Sequence, residues 1–147
     1  MRRHAKCDAT APPKKMNKII WVDIVGLLAV LQLFLFGVLV GRARGQYGVA
    51  APATTGHPVF ERYYRVQMNT VEALLIFLPG LWLAAKYWPP GYAAILGVVY
   101  LVGRFLYLNA YVKDPKTRSL GFSLSMLPAL VLVLAALVGA LRALSKS

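Results

Sequence analysis

Acidic residues are nearly absent. The 147-residue chain has five, Asp8, Asp23, Glu61, Glu72 and Asp114, against 17 Lys and Arg. Cysteine occurs once, at Cys7 in a polar tail, which excludes a disulfide framework and reads as an incidental thiol. The two histidines, His4 and His57, lie in a tail and a loop with no partner at ligand spacing, so no metal site is expected. Charged residues make up 15% of the chain and hydrophobic ones 59%, against roughly 45–50% apolar in a soluble domain. A soluble fold of this size cannot bury that much apolar surface. Richness in Leu, Val and aromatics excludes disorder. The net charge of +12 invites a nucleic-acid reading. Most basic residues, however, flank long apolar runs, where they set topology and meet anionic headgroups. No nucleic-acid partner is expected.

What is present is long apolar runs. A helix needs about 20 mostly apolar residues to cross a bilayer, and four segments qualify: Lys18–Gly41, Val66–Trp88, Gly91–Val112 and Leu120–Leu141. Backbone groups in lipid must be satisfied within the segment, so these are helices. A barrel would need shorter, alternating strands. The fold class is therefore an all-α integral membrane bundle of four transmembrane helices. Residues 1–17 read as a basic N-terminal tail, 18–142 as the membrane domain and 143–147 as a C-terminal tail. Arg42–Val59 forms a Gly/Pro/Thr-rich loop long enough to cover a site. Pro89-Pro90-Gly91 is a tight turn, and Lys113–Ser119 a short basic loop. Gly26, Gly37, Gly97, Gly103 and Gly139 permit close helix contacts without specifying stoichiometry.

Orientation is evenly balanced, with nine basic residues on the side of the termini and eight on the other. A translation start at Met16 would remove five from the terminal side and turn the longer loops to the cytoplasm. The tail does not read as a signal peptide, since the apolar run is too long and no small-residue cleavage site closes it. A short basic chain without a retention or anchoring motif points to a bacterial inner membrane ahead of an endoplasmic reticulum.

Charged groups inside spans cost about 2.5–3.5 kcal/mol each on insertion scales and so face a bundle interior or a cavity. At 100° per residue, Glu61, Arg65, Asn69 and Glu72 fall on one face of the second helix, with Gln67 opposite them. Tyr100, Arg104, Tyr107 and Tyr111 share one face of the third helix. The two stripes converge on the membrane side that also carries Arg42, Arg44 and Arg118. Tyr63, Tyr64, Trp82, Tyr87, Trp88 and Tyr92 read as interfacial aromatics. An excess of Arg suits a ligand with several negative charges, because guanidinium pairs carboxylates bidentately. One Glu among them suits a ligand that also carries an ammonium. A small zwitterionic peptide with extra carboxylates fits better than a nucleotide, for which no phosphate loop is present.

The segments ATTGHPVFER, FERYYRVQMNTVEALLIFLPGLWLA and GVVYLVGRFLYLNAYVKDPKTRS resemble, with gap-free spacing, the MAPEG family of membrane-associated proteins in eicosanoid and glutathione metabolism. The resemblance is strongest to its microsomal glutathione S-transferase and leukotriene C synthase branches and covers about residues 18–142. It implies a homotrimer with glutathione sites between subunits. Arg44, Arg65, Gln67, Asn69, Glu72, Arg104, Tyr107 and Tyr111 would hold glutathione as co-substrate, with Glu72 meeting the γ-glutamyl ammonium. Arg118 matches the catalytic arginine that stabilises the thiolate. The other partners implied are membrane lipid and a lipophilic electrophile or lipid hydroperoxide. Three positions depart from the pattern: Ala73 where a Tyr is common, Leu75 where a Pro is common, and Gly45 where the leukotriene branch has a second arginine. The last argues against that branch's substrate.

Two functions follow from the resemblance: a membrane-bound glutathione transferase, with peroxidase activity as an extension, or a non-catalytic lipid- or glutathione-binding protein of the same fold. A small multidrug transporter coupled through one Glu fits less well. Such transporters place the Glu in the first helix, and an Arg-rich pocket repels cationic drugs.

Overall fold

Four long helices follow one another in the computed structural model, which describes residues 14–146, with side-chain surroundings from Ile19 onward. They are α1 (Lys14–Gln46), α2 (Pro58–Tyr87), α3 (Pro90–Lys113) and α4 (Ser119–Leu144), with a single 3₁₀ turn (Pro115–Thr117) before α4. Each is long and apolar enough to span a bilayer. The chain is an integral membrane protein built as a four-helix bundle. The expectations for His4, Cys7 and most of the basic tail lie outside the described residues.

The helices α2 and α3 each touch every other helix, while α1 and α4 scarcely meet. The shared core takes Val22, Val25 and Ala29 from α1, Phe77 and Leu81 from α2, Tyr100 from α3, and Ala129 and Leu132 from α4. At its centre the Phe77 and Tyr100 rings lie flat on one another, with centroids 3.8 Å apart. Outward faces are equally apolar, with Leu27, Phe34, Leu75, Ile95 and Leu134 exposed to the lipid position. Burial of apolar surface therefore cannot drive association, because lipid tails are as apolar as leucine; close packing must. The tightest seam joins α3 to α4. A Cβ at Gly103 would stand 2.7 Å from the Ser125 amide nitrogen, and one at Gly121 would stand 2.6 Å from Tyr107 Cα. Only glycine allows that approach.

The helices outrun the apolar segments at several ends. The first continues through Arg42 and Arg44 to Gln46, and the second begins eight residues before Val66. Counting apolar residues finds only the part inside hydrocarbon, whereas capping continues the helix into the interface. Pro58 occupies the first turn of α2, where its missing N–H costs nothing. His57 Nδ1 accepts from the Val59 amide (3.2 Å), and Glu61 Oε1 accepts from the Gly56 amide (3.0 Å). Glu61 thus closes the helix start, and His57 is a cap whose ring stacks on Tyr47 (centroids 4.1 Å apart).

The expected 18-residue loop shrinks to residues 47–57. Arg44 ties it down by donating to the carbonyls of Val49 (3.1 Å) and Ala53 (2.9 Å) while lying over the Phe60 ring. At the other helix pair, Arg62 of α2 donates to the Val112 (3.0 Å) and Lys113 (3.1 Å) carbonyls, satisfying the open end of α3.

Substituting Gly121→Leu should force α3 and α4 apart and cost about 1–3 kcal/mol, as overpacking does. Gly91→Ala, with nothing within 4 Å, should leave stability unchanged. Thermal unfolding of the two variants in one detergent checks the contrast.

Candidate functional site

Where α2, α3 and the start of α4 meet, an open cavity of about 940 Å³ is walled by Arg65, Asn69, Tyr107, Tyr111, Lys116, Arg118 and Phe122, with Pro115 and Ser119 at its edge. The α3–α4 seam builds it. Gly121 presses on the Tyr107 backbone, which sets Tyr107 and Tyr111 beside the 3₁₀ turn that delivers Arg118. That turn is itself capped, with the Asp114 carboxylate accepting from the Lys116 amide (3.0 Å). Arg118 donates to the Pro115 carbonyl (3.3 Å), and its guanidinium lies 5.6 Å from the Tyr111 ring centroid. The Tyr107 hydroxyl accepts a short bond from Asn69 Nδ2 (2.6 Å), so its own proton is free to point into the cavity. The wall carries three cations, Arg65, Lys116 and Arg118, and no carboxylate. It suits a ligand of net negative charge.

Beneath the cavity lies Arg104, 1% exposed. Its Nη2 donates to the Thr70 hydroxyl (2.5 Å) and, more weakly, toward the Val66 carbonyl (3.5 Å), both neutral, and no carboxylate pairs with it among the described residues. The guanidinium sits 4.5 Å from the centroid of Tyr107. Arg104 Nε and the Tyr100 hydroxyl are buried without a hydrogen-bond partner. The buried cation therefore holds Tyr107 by its ring face, while Asn69 holds the same residue by its hydroxyl.

The structure brings together five of the nine residues singled out from sequence: Arg65, Asn69, Tyr107, Tyr111 and Arg118. Four lie elsewhere. Arg44 is committed to the 47–57 loop. Gln67 faces α1, where a Cβ at Gly37 would stand 3.2 Å from its Nε2. Glu72 is on the outer surface of α2, exposed within the span. Arg104 is inside the bundle. Two further residues were not anticipated. Thr70 is the buried acceptor for Arg104, and no spacing within α2 announces which α3 residue will lie across from it. Lys116 lines the cavity, and the basic character of its loop was the available signal. A second cavity of about 380 Å³ shares Arg65 and Tyr111, includes Glu61, and is walled by Thr54 and Thr55 of the long loop. That loop reaches the site's edge without covering it.

The sequence matches the MAPEG family over residues 23–138. The chain belongs to this family. It is 47% identical over 125 residues to an uncharacterised protein of Synechocystis sp., covering 85% of this chain and 91% of that one. It is 44% identical over 117 residues to microsomal glutathione S-transferase 2 of Homo sapiens (80% and 78% of the two chains). Leukotriene C4 synthase of Cavia porcellus is 40% identical over 102 residues (69% and 68%). The match to the MAPEG family spans α2, α3 and the 3₁₀ turn, so every cavity residue falls inside it.

Thr70→Val should leave the Arg104 guanidinium nearly unsatisfied in the bundle and cost about 1–3 kcal/mol, the penalty for a buried group without its partner. Thr70→Ser, which keeps the hydroxyl, should recover most of it. Thermal unfolding in detergent distinguishes the two.

Proposed function

We propose that this MAPEG-family chain is a membrane-bound glutathione transferase that activates glutathione as a thiolate for attack on lipophilic electrophiles. The observation that carries the reading is Arg118, delivered by its own capped turn to the mouth of a cavity whose wall holds three cations and no carboxylate. Relatives named as a glutathione S-transferase and a leukotriene C4 synthase support it.

The chemistry is simple. A free thiol has a pKa of about 8.5, and only the thiolate is a good nucleophile. A guanidinium beside the sulfur stabilises the anion, by about 1.4 kcal/mol per pKa unit lowered. In this reading Arg65 and Lys116 take the two carboxylates, and Asn69 and Tyr107 make peptide or hydroxyl contacts. Tyr111 gives Arg118 a flat support. The thiolate displaces a leaving group from, or adds to, an electrophile arriving from lipid past Phe122. With a lipid hydroperoxide it attacks the distal oxygen instead, releasing the alcohol; a second glutathione then yields the disulfide and water.

Glu72 and Gln67 fit this scheme through a homotrimer. A carboxylate left facing hydrocarbon is costly, and an ammonium of glutathione held at a subunit boundary would neutralise it. Arg44 and Arg104 then act on the loop and on Tyr107, without contact with the ligand. A bacterial inner membrane is the proposed location, in keeping with the similarity to a Synechocystis protein.

Mixing glutathione with detergent-purified protein at pH 7 should give ultraviolet thiolate absorbance. Arg118→Ala should bind glutathione but lose that signal. At pH 7 its conjugation rate should fall about 25-fold if Arg118 lowers the pKa by about two units from about 8.5, and its pH–rate profile should move up toward about 8.5. Binding without a thiolate signal in the wild type would favour the non-catalytic reading, and no binding would overturn the glutathione assignment. Glu72→Gln should weaken glutathione binding about tenfold, read by titration, without shifting the pH profile.

A further inference from the structure

The opposite end of the bundle holds a second basic site that the proposed chemistry does not use. A cavity of about 360 Å³ lies there between the end of α2 and the end of α4, walled by Tyr87, Trp88, Gly139, Arg142, Ala143 and Lys146. It is built, not a chance gap. Trp88 Nε1 donates to the Ala135 carbonyl of α4 (2.8 Å), which fixes the indole plane, and Arg142 lies over that plane, 5.1 Å from its centroid. Gly139 lets Tyr87 seat against α4. Lys86 adds a third cation, its Nζ 5.4 Å from the Tyr87 ring centroid.

Charge here is one-sided. Residues 73–113 and 115–147, which make up this end of α2, all of α3 after its turn and all of α4, contain no Asp or Glu. The one acid of α1 within the described residues, Asp23, accepts from Trp82 Nε1 (3.2 Å). Arg142 is positioned by an aromatic face, which leaves its N–H donors unspent. A guanidinium on a fixed aromatic plane matches phosphate geometry.

Tyr87 also walls a second cavity, of about 290 Å³, that runs toward the bilayer centre. That one is apolar, lined by Pro79, Leu83, Val133, Ala136, Leu137 and Ala140. Leu83 and Leu137 are exposed at its rim, on the lipid-facing surface. An anionic binding site and an acyl-sized groove thus share one tyrosine at the depth where Tyr87, Trp88 and Tyr92 form an interfacial belt. Basic clefts between spans at this depth are the usual holders of acidic lipid headgroups.

We propose that this end of the protein is a specific site for an anionic phospholipid. Its phosphate sits on Arg142 and Lys146 against Trp88, and one acyl chain lies along the α2–α4 groove below Tyr87. The site stands apart from the Arg118 cavity and does not depend on the function of that cavity.

Native mass spectrometry of the full chain in detergent, titrated with phosphatidylglycerol and with phosphatidylcholine of the same acyl chains, tests this. The wild type should retain phosphatidylglycerol at least tenfold more tightly. Arg142→Gln with Lys146→Gln should abolish the preference, whereas Arg142→Lys, which keeps the charge but not the planar donor pair, should retain only part of it. Ala140→Leu, which fills the groove without altering charge, should weaken both lipids together. Equal retention of the two lipids by the wild type overturns the proposal, as does a preference that survives the double substitution. Loss of bound phosphatidylglycerol to millimolar inorganic phosphate also overturns it, since a headgroup anchored by its chain is not displaced by the free ion at that level.

Discussion

The closeness of α3 to α4 is the constraint on which the site depends. Helices in lipid gain nothing from hiding apolar side chains, so their association rests on backbone approach and on the polar contacts that approach allows. Gly103 and Gly121 bring the two backbones to near contact at two levels, one turn apart from the residues that matter. The lower level seats Arg104 next to Thr70. The upper level fixes Tyr107, and three residues before Gly121 the preceding turn delivers Arg118. A larger residue at either glycine would move an arginine and a tyrosine together. Site geometry and bundle stability are in this sense the same property.

Arg104 gives the bundle its electrostatic character. Burying a cation without an acidic partner is expensive, and here one hydroxyl, one distant carbonyl and one aromatic face share the task of offsetting it. Such contacts recover part of the cost, on the order of 1.5–3 kcal/mol for each charged hydrogen bond and about 2 kcal/mol for a desolvated cation–π contact. What is left uncompensated is a positive field inside a low-dielectric bundle, directly beneath a cavity already lined by Arg65, Lys116 and Arg118. An anion in that cavity interacts favourably with all four. Under the proposed function, the same field would favour a thiolate seated near Arg118 without contact from Arg104.

Much of the fold was legible because hydrocarbon imposes a length and a composition: the runs near Lys18–Gly41, Val66–Trp88, Gly91–Val112 and Leu120–Leu141 are the cores of α1 to α4. Helix ends were not, since Pro58, His57 and Glu61 extend α2 by capping and not by apolar content. Periodicity placed Tyr107, Tyr111 and Arg104 on one face of α3, but a face does not say which member is buried and which lines a cavity. That depends on depth, and depth depends on where Thr70 of α2 happens to stand. Gln32 shows the same limit. It is buried and donates to the Leu101 carbonyl (3.0 Å), and one glutamine in an apolar run carries no signature of its partner.

Glu72 is the residue on which the proposed trimer bears most. Among the described residues it is the one acid that caps no helix or turn and meets no indole; the structure leaves it exposed on a helix that crosses the membrane. Snorkelling cannot rescue it, because Glu has too short a stem to reach the interface from two turns inside the span. A cation from beyond this chain would offset that cost, and under the proposed function a ligand ammonium held against a neighbouring copy is such a cation. Under the proposed trimer, assembly and ligand binding would therefore be linked: occupancy of the boundary would stabilise the contact between subunits, and the contact would shield the pair from lipid.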